Sequence, residues 1–436
     1  MNLGEWIMFG LLFILVVSFP VFMKSLLTFL GICIICSSCE IMHVIKENKR
    51  DAETVVLTPL TEKQVVPFRL VDNRVLVTVK VNGEDIIMQL DTGAPTILSE
   101  EYARRHNLIV DSTQQLVSTP LGLSETEKYI GRNVTLDING VKVQKNYQKI
   151  LKMSNSVIAC EHIDGLLGVD VLCQFTVVFD FEHKTMEMYA KDKLPEDIAS
   201  YDKTIHFDNY SPAQKIPNMD LTLNGVKTEF IWDMGFNSNF YLRYKSAGKF
   251  HKLLNAYPDA VRYESTGVFK DVNGQSKKAE TWYMDVGMVK QGDNVISTQG
   301  YRASAFLDEG TKMPHSNIGV GFMKQYKMVI SWHTKKIYLK EVSAPARLAT
   351  QHLVNVGYSE KDKAIEALLV AKSSDAYRQG LRAGDKVTYI GNKTTSDIMA
   401  AHNNCDMQQA VQDEMKEAAE LRVMINGKEQ IVPLKK

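Results

Sequence analysis

Apolar and polar positions alternate along most of this chain with a period of two, the period of a strand that buries one face. A clear run is "VLVTVKVNGEDIIMQLDTGAPTIL", Val75–Leu98, in which Asn82-Gly83 separates two alternating stretches. Asn-Gly accepts the left-handed backbone of a two-residue hairpin turn, so the pattern predicts strand, turn and strand. A second run, "NMDLTLNGVKTEFIWDMGFNSNFYL", Asn218–Leu242, repeats the design around Asn224-Gly225. Asp91 falls nine positions after Asn82 and Asp233 nine after Asn224, and each Asp has a Gly two positions on, Gly93 and Gly235.

The downstream halves repeat as well. "DGLLGVDVLCQFTVVFDFEHKTMEMY" begins at Asp164 and "NIGVGFMKQYKMVISWHTKKIYL" at Asn317. Aligning Gly168 with Gly319 puts Gln174 on Gln325 and Lys184 on Lys335. Each block reads as a strand ending in Gly, a short helix, then strand–turn–strand. Two blocks repeated in the same order imply an internal duplication. The expectation is two strand-rich lobes, residues 66–190 and 212–342.

Beyond the second lobe the pattern changes. "VSAPARL", Val342–Leu348, reads as a linker. In the third segment, residues 350–436, Ser373–Leu381 reads as a short helix ended by Gly380. Ala383-Gly384-Asp385 then turns into an apolar strand, Val387–Ile390. Apolar residues at helical spacing from Gln408 to Leu421 predict another helix, and Asn426-Gly427 a last hairpin.

The N-terminus, residues 1–45, carries two apolar stretches. Ile7–Phe22 and Leu26–Cys36 fit one membrane anchor, since roughly 20 apolar residues cross a bilayer. If Met23 is the start, "MKSLLTFLGICIICSSC" has a positive residue, an apolar core, two small residues and a Cys, which is signal-peptide anatomy. It resembles a bacterial lipoprotein signal with Cys39 lipidated, departing from it at Cys36, where an aliphatic residue is usual. A cleaved signal is the third alternative. All three place the rest of the chain outside the cytoplasm, held to a membrane by the anchor or the lipid in the first two.

Composition narrows the chemistry further. The chain has 436 residues, 45% apolar, with 51 basic and 51 acidic side chains. That balance, with no basic run, gives no footprint for nucleic acid. Three of six cysteines lie in the leader. Cys160, Cys173 and Cys405 remain, an odd number that permits one bridge at most and leaves the Cys160/Cys173 pairing open. Buried free thiols are the simplest reading. Ten His show no HExxH and no tight ligand cluster, so neither a metal nor another cofactor is expected.

A lone Asp in a turn is usually a cap or turn former. Duplication changes that balance, because equivalent Asp residues on pseudo-symmetric lobes can meet at their interface. Two carboxylates about 3 Å apart share a proton, one serving as base toward a water and the other as acid toward a carbonyl. The glycines following each Asp suit a tight bend beside the partner loop, and the Gly-containing strands at Leu166–Gly168 and Ile318–Gly319 would brace each loop from beneath.

Asp91-Thr92-Gly93-Ala94, with Ile97 after it, resembles the active-site loop of aspartic proteases, the retropepsin-like group especially. Ile163–Gly168 resembles that family's second signature. The resemblance covers residues 66–342 and implies a mainly β fold. It also implies a small β barrel in each lobe, a catalytic Asp91/Asp233 dyad across the interface, a peptide or protein substrate and no cofactor. It further implies flap hairpins, for which the candidates lie near Gly122 and near Gly267–Gly274. With both lobes in one chain, homodimerisation is not required. The second loop departs from the family: it reads Asp233-Met234-Gly235-Phe236. The resemblance has a Thr at the second position grip the opposite loop, which Thr92 can do and Met234 cannot. Ala94 and Phe236 also lack the hydroxyl found near each Asp in pepsin-like members, which hints at a dyad that titrates higher.

The pattern Gly380-Leu381-x-x-Gly384-Asp385-x-Val387-x-x-Ile390 resembles a PDZ domain. Such domains bind an extended peptide and capture its terminal carboxylate, a role the resemblance places on a loop at Val356-Gly357-Tyr358, with the Gln408–Leu421 helix lining the groove. Together these expectations describe an extracytoplasmic aspartic endopeptidase with a peptide-binding module. The alternative is an inactive peptide-binding lipoprotein that uses the lobes as scaffold.

Overall fold

A computed structural model describes Arg50 and residues 53–119, 122–153, 160–211, 214–266, 279–307, 316–342, 353–359 and 362–434. The apolar leader, Cys39, the flap candidate Gly267–Gly274 and all but the first residue of the Val342–Leu348 linker lie outside them. Among the described residues no helix is long and apolar enough to cross a membrane.

Strand Arg74–Val81 turns back into Glu84–Asp91 through Asn82 and Gly83, whose φ angles are 50° and 98°. Its alternation is the sequence pattern made physical: Val75, Val77, Val79 and Val81 are buried, while Thr78 and Lys80 face solvent. Glu84–Asp91 then lies parallel to Ile163–Gly168, which pairs antiparallel with Ile97–Ser99, itself parallel to Val141–Leu151. The same crossing recurs later. Pro217–Leu223 turns at Asn224 and Gly225 into Val226–Trp232. That strand lies parallel to Ser316–Ile318, which pairs antiparallel with Phe240–Tyr244, itself parallel to Tyr301–Leu307. In each half a buried helix of one turn, Val169–Leu172 or Val320–Met323, follows the Gly that ends the central strand.

The halves join in a six-strand antiparallel run ordered Lys203–His206, Lys336–Glu341, Tyr326–Ser331, Phe175–Asp180, Thr185–Ala190, Gln64–Val71. Its central pair takes one strand from each half, with Val177 opposite Ile330. The aligned residues Lys184 and Lys335 both turn at φ 54°. One hydrophobic core runs through both halves.

The C-terminal module has its own core, built from Val356, Ile365, Leu381, Val411, Leu421 and Val423 among others. Strands Val354–Ser359 and Ala364–Ala371 pair with each other. The second of them also pairs with Val261–Ser265 of the second half, Tyr263 opposite Ala371, so the sheet runs from that half into the module. A short helix, Asp375–Arg378, is capped by Ser374 and followed by Gly380 at φ 104°. The expected Gln408–Leu421 helix spans Met407–Glu417 instead. Leu421 belongs to the next strand, Glu420–Ile425, where it alternates inward with Val423 and Ile425.

Two of the three cysteines expected as free thiols are not free. Cys160 and Cys405 form a disulfide across 245 residues, their Cα atoms 5.4 Å apart. Only tertiary structure brings them together, which spacing could not show. Cys173 is free and buried, and burial pushes its thiol up to about 12, where it is inert as a nucleophile at neutral pH.

Candidate active site

Asp91 ends strand Glu84–Asp91, and Asp233 directly follows strand Val226–Trp232. Each side chain folds back on its own loop. The Gly93 N–H donates to Asp91 Oδ1 and the Gly235 N–H to Asp233 Oδ1, both at 2.8 Å. The loops meet face to face. A Cβ placed on Gly93 would sit 2.7 Å from the Asp233 carboxyl carbon, and one on Gly235 would collide with the Asp91 carboxyl. Glycine is therefore required at both positions by the opposite carboxyl, not by an unusual φ. The two carboxyls lie close enough for the charge on Asp233 to act on Asp91.

The strands beneath leave equally little room. A Cβ on Gly168 would overlap the Pro95–Thr96 peptide, and one on Gly319 would overlap the carbonyls of Phe236 and Ser238. Backbone bonds close each brace: Val169 N–H to Ala94 O at 2.9 Å, and Val320 N–H to Phe236 O at 2.8 Å. The first loop has an additional anchor. Thr96 donates its hydroxyl to Asp170 Oδ1 at 2.6 Å and accepts the Gly168 N–H at 3.0 Å. Lys145 completes a buried ion pair with Asp170. In the second half Gly321 occupies the position aligned with Asp170.

Thr92 is fully buried and crosses to the other loop. Its hydroxyl donates to Trp232 O at 2.5 Å and accepts the Met234 N–H at 3.0 Å. Met234 has no hydroxyl to return the grip, and its side chain is buried in the shared core. Phe236 leans toward Tyr241, ring centroids 6.1 Å apart. Trp232 is likewise core, edge-on to Phe322. Further stitches cross the junction: Gln89 Nε2 to Gly235 O at 3.2 Å, and Asn73 Nδ2 to Asn237 O at 2.9 Å.

Burial pushes the Asp91 carboxyl well above the usual carboxylate range, and the Asp233 charge pushes the same way against the N–H groups of Gly93 and Ala94. Asp233 is also raised by burial, but Asn317, Gly235, Asp91 and Phe236 all pull it back. Asn317 donates its side-chain amide to Asp233 Oδ2. Sequence reasoning missed Asn317, Gln89, Thr96 and the Asp170–Lys145 pair. A signal for Asn317 was available: the Gly168/Gly319 alignment puts an amide where the first half has Leu166.

Val356, Gly357 and Tyr358 belong to the C-terminal module and are not brought together with the aspartates. They were expected in a loop, but they lie in strand Val354–Ser359, paired with Ala367, Glu366 and Ile365. Helix Met407–Glu417 covers their other edge: Tyr358 N–H donates to Gln408 Oε1 at 3.1 Å, and Gln412 Nε2 donates to Val356 O at 2.8 Å. Of the flap candidates, Gly122 sits at a hairpin end opposite Thr119. The described strands flanking the second candidate, Val261–Ser265 and Ala279–Val286, pair with each other.

Comparison with known proteins bears on the first half. No curated protein matches the sequence. A family model described as aspartyl protease matches residues 77–171, from within strand Arg74–Val81, through the Asp91 loop, into the helix after Gly168. That stretch is similar to an aspartyl protease domain.

Proposed function

We propose that the chain is an aspartic endopeptidase that hydrolyses peptide bonds with a water activated between Asp91 and Asp233. The observation that carries this reading is the mutual packing of the two loops, in which each Gly fits against the other loop's carboxyl. In this reading residues 66–190 and 212–342 are homologous lobes, and the repeated strand crossing supports that. The ionised carboxyl takes a proton from the water, which attacks the scissile carbonyl carbon, while the protonated carboxyl donates to the carbonyl oxygen. The tetrahedral intermediate then breaks at the C–N bond as the amine takes up a proton. No covalent enzyme intermediate is needed. Thr92, Gly93, Ala94, Met234 and Gly235 hold the reacting groups in place.

The C-terminal module serves in this proposal as a PDZ-like peptide binder. Its ligand, a substrate or a regulatory C-terminal peptide, would enter between strand Val354–Ser359 and helix Met407–Glu417 by displacing the Gln408 and Gln412 bonds. The leader places the protein outside the cytoplasm, attached to a membrane through Cys39 lipid or an anchor. An inactive, peptide-binding lipoprotein is the second reading, favoured by the one-sided grip at Met234.

Cleavage of a denatured protein mixture by the full-length chain, from about pH 3 to about pH 8, tests the proposal. Wild type should cleave, and Asp91→Asn and Asp233→Asn should each lose at least about 100-fold. Activity lost only with Asp91→Asn would refute the two-lobe dyad, and an inert wild type would favour the binding reading.

A further inference from the structure

Fold symmetry makes the two aspartates near-equivalents, yet a proton shared between them must rest mainly on one. Beside the differences between their loops, one aligned strand position sets a side-chain donor against one carboxyl. Beside Asp233 stands Asn317; its counterpart in the first half is Leu166, which has no polar atom in its side chain. Each Asp accepts its own loop Gly N–H at 2.8 Å, so the loops alone do not decide between them. Asn317 adds a further donor, aimed at Asp233 Oδ2. A donor with no matching acceptor requirement stabilises the charged form of a carboxyl. Asn317 sits in strand Ser316–Ile318, opposite Ile231 and Tyr241. That strand is short and buried at both ends.

We infer that Asn317 is a positioning residue that fixes the polarity of the pair, keeping Asp233 ionised as the base and leaving the proton on Asp91 as the acid. The inference rests on the hydrolytic reading for its catalytic meaning, but the charge assignment itself does not require turnover. Asn317 leads the groups that pull Asp233 back toward its ordinary range, in agreement with the geometry.

The test uses the full-length chain and two readouts. The first is alkylation by a small epoxide, mapped by peptide mass spectrometry. An ionised carboxylate opens the epoxide to form an ester, the ring C–O bond breaks, and the alkoxide takes a proton from water. The wild-type ester should fall on Asp233. Asn317→Leu, which copies the first half, should spread the ester over both aspartates and move its pH dependence up by about one unit. Asn317→Ser supplies a smaller donor that fits the same space and should restore most of the preference for Asp233. The second readout is the acid limb of the hydrolysis profile, which should shift upward in Asn317→Leu and return in Asn317→Ser. A wild-type ester on Asp91 would overturn the assignment. So would an unchanged site preference and acid limb in a folded Asn317→Leu, or in Asn317→Ser with no recovery. If wild type proves hydrolytically inert, the endopeptidase proposal fails while alkylation still decides the role of Asn317.

Discussion

At the scale of single residues, Thr92 and Met234 show what the second loop has given up. Thr92→Val keeps shape but removes both cross-loop bonds, and the loss should cost about 2 kcal/mol, read as a lower urea midpoint at unchanged slope. Restoring the familiar motif with Met234→Thr should not help. Met234 is fully buried in the shared core. Truncating it costs about 1–3 kcal/mol of packing, against about 1 kcal/mol from a new hydrogen bond, so the variant should be less stable than wild type. A gain in midpoint would show that the buried space tolerates the change. The aspartates themselves set a pH dependence. Both titrate above their ordinary range when folded, so the folded chain holds protons that the unfolded chain has released. Stability from these groups is therefore present below the ordinary carboxylate range and lost as pH rises through the raised values. Asp91→Asn removes part of that slope. Its melting temperature relative to wild type should rise with pH and then level off, and a flat difference would contradict the raised state. Asp91 and Asp233 were legible in the sequence because the chain states them twice. Asn317 was marked only as an amide aligned with Leu166; its meaning lies in the strand beside it, and that adjacency is set by the parallel pairing of Val226–Trp232 with Ser316–Ile318.

At the scale of elements, the loops are only as well placed as the strands and helices that brace them. Hairpins around Asn82-Gly83 and Asn224-Gly225 were readable because alternation and turn chemistry agree there. The end of helix Met407–Glu417 was not, since Leu421 suits both a helical spacing and an inward strand position. The brace of the first loop predicts an asymmetry between the halves. Asp170 joins Thr96, Lys145 and the start of a buried helix, and Gly321 takes its place in the second half. Asp170→Ala strips a fully enclosed lysine of its carboxylate and should cost about 3–5 kcal/mol. Gly321→Ala meets a tight wall, its Cβ 2.7 Å from Asn239 Oδ1, and should cost about 1–3 kcal/mol by overpacking. Paired urea denaturation curves check the order. Equal losses would mean that the ion pair contributes nothing beyond shape.

At the scale of the whole molecule, the C-terminal module is tied to both halves by different means. Strand Ala364–Ala371 extends the second half's sheet through Val261–Ser265, and Glu280 pairs with both Arg262 and Lys372 at that seam. The Cys160–Cys405 bond reaches the first half, just ahead of the strand Ile163–Gly168 that braces Asp91. One tie is a run of backbone hydrogen bonds and the other a covalent link, so they respond to different conditions. A link closing 245 residues restricts the unfolded chain strongly; the loop-entropy relation gives about 5 kcal/mol, and measured losses for native bridges run about 2–5 kcal/mol. Cys405→Ser should therefore lower the unfolding free energy by an amount in that range, read as a lower urea midpoint, and Cys160→Ser by the same amount. The double variant should lose no more than either single one, because each single change already breaks the bond. A reductant should bring wild type to the variants' midpoint and leave the variants unmoved, since the buried Cys173 has no disulfide to lose. Additive losses in the double variant would mean that the two thiols act separately. A linked peptide recovered from the unreduced chain that joins Cys173 to either of them would replace the bridge altogether.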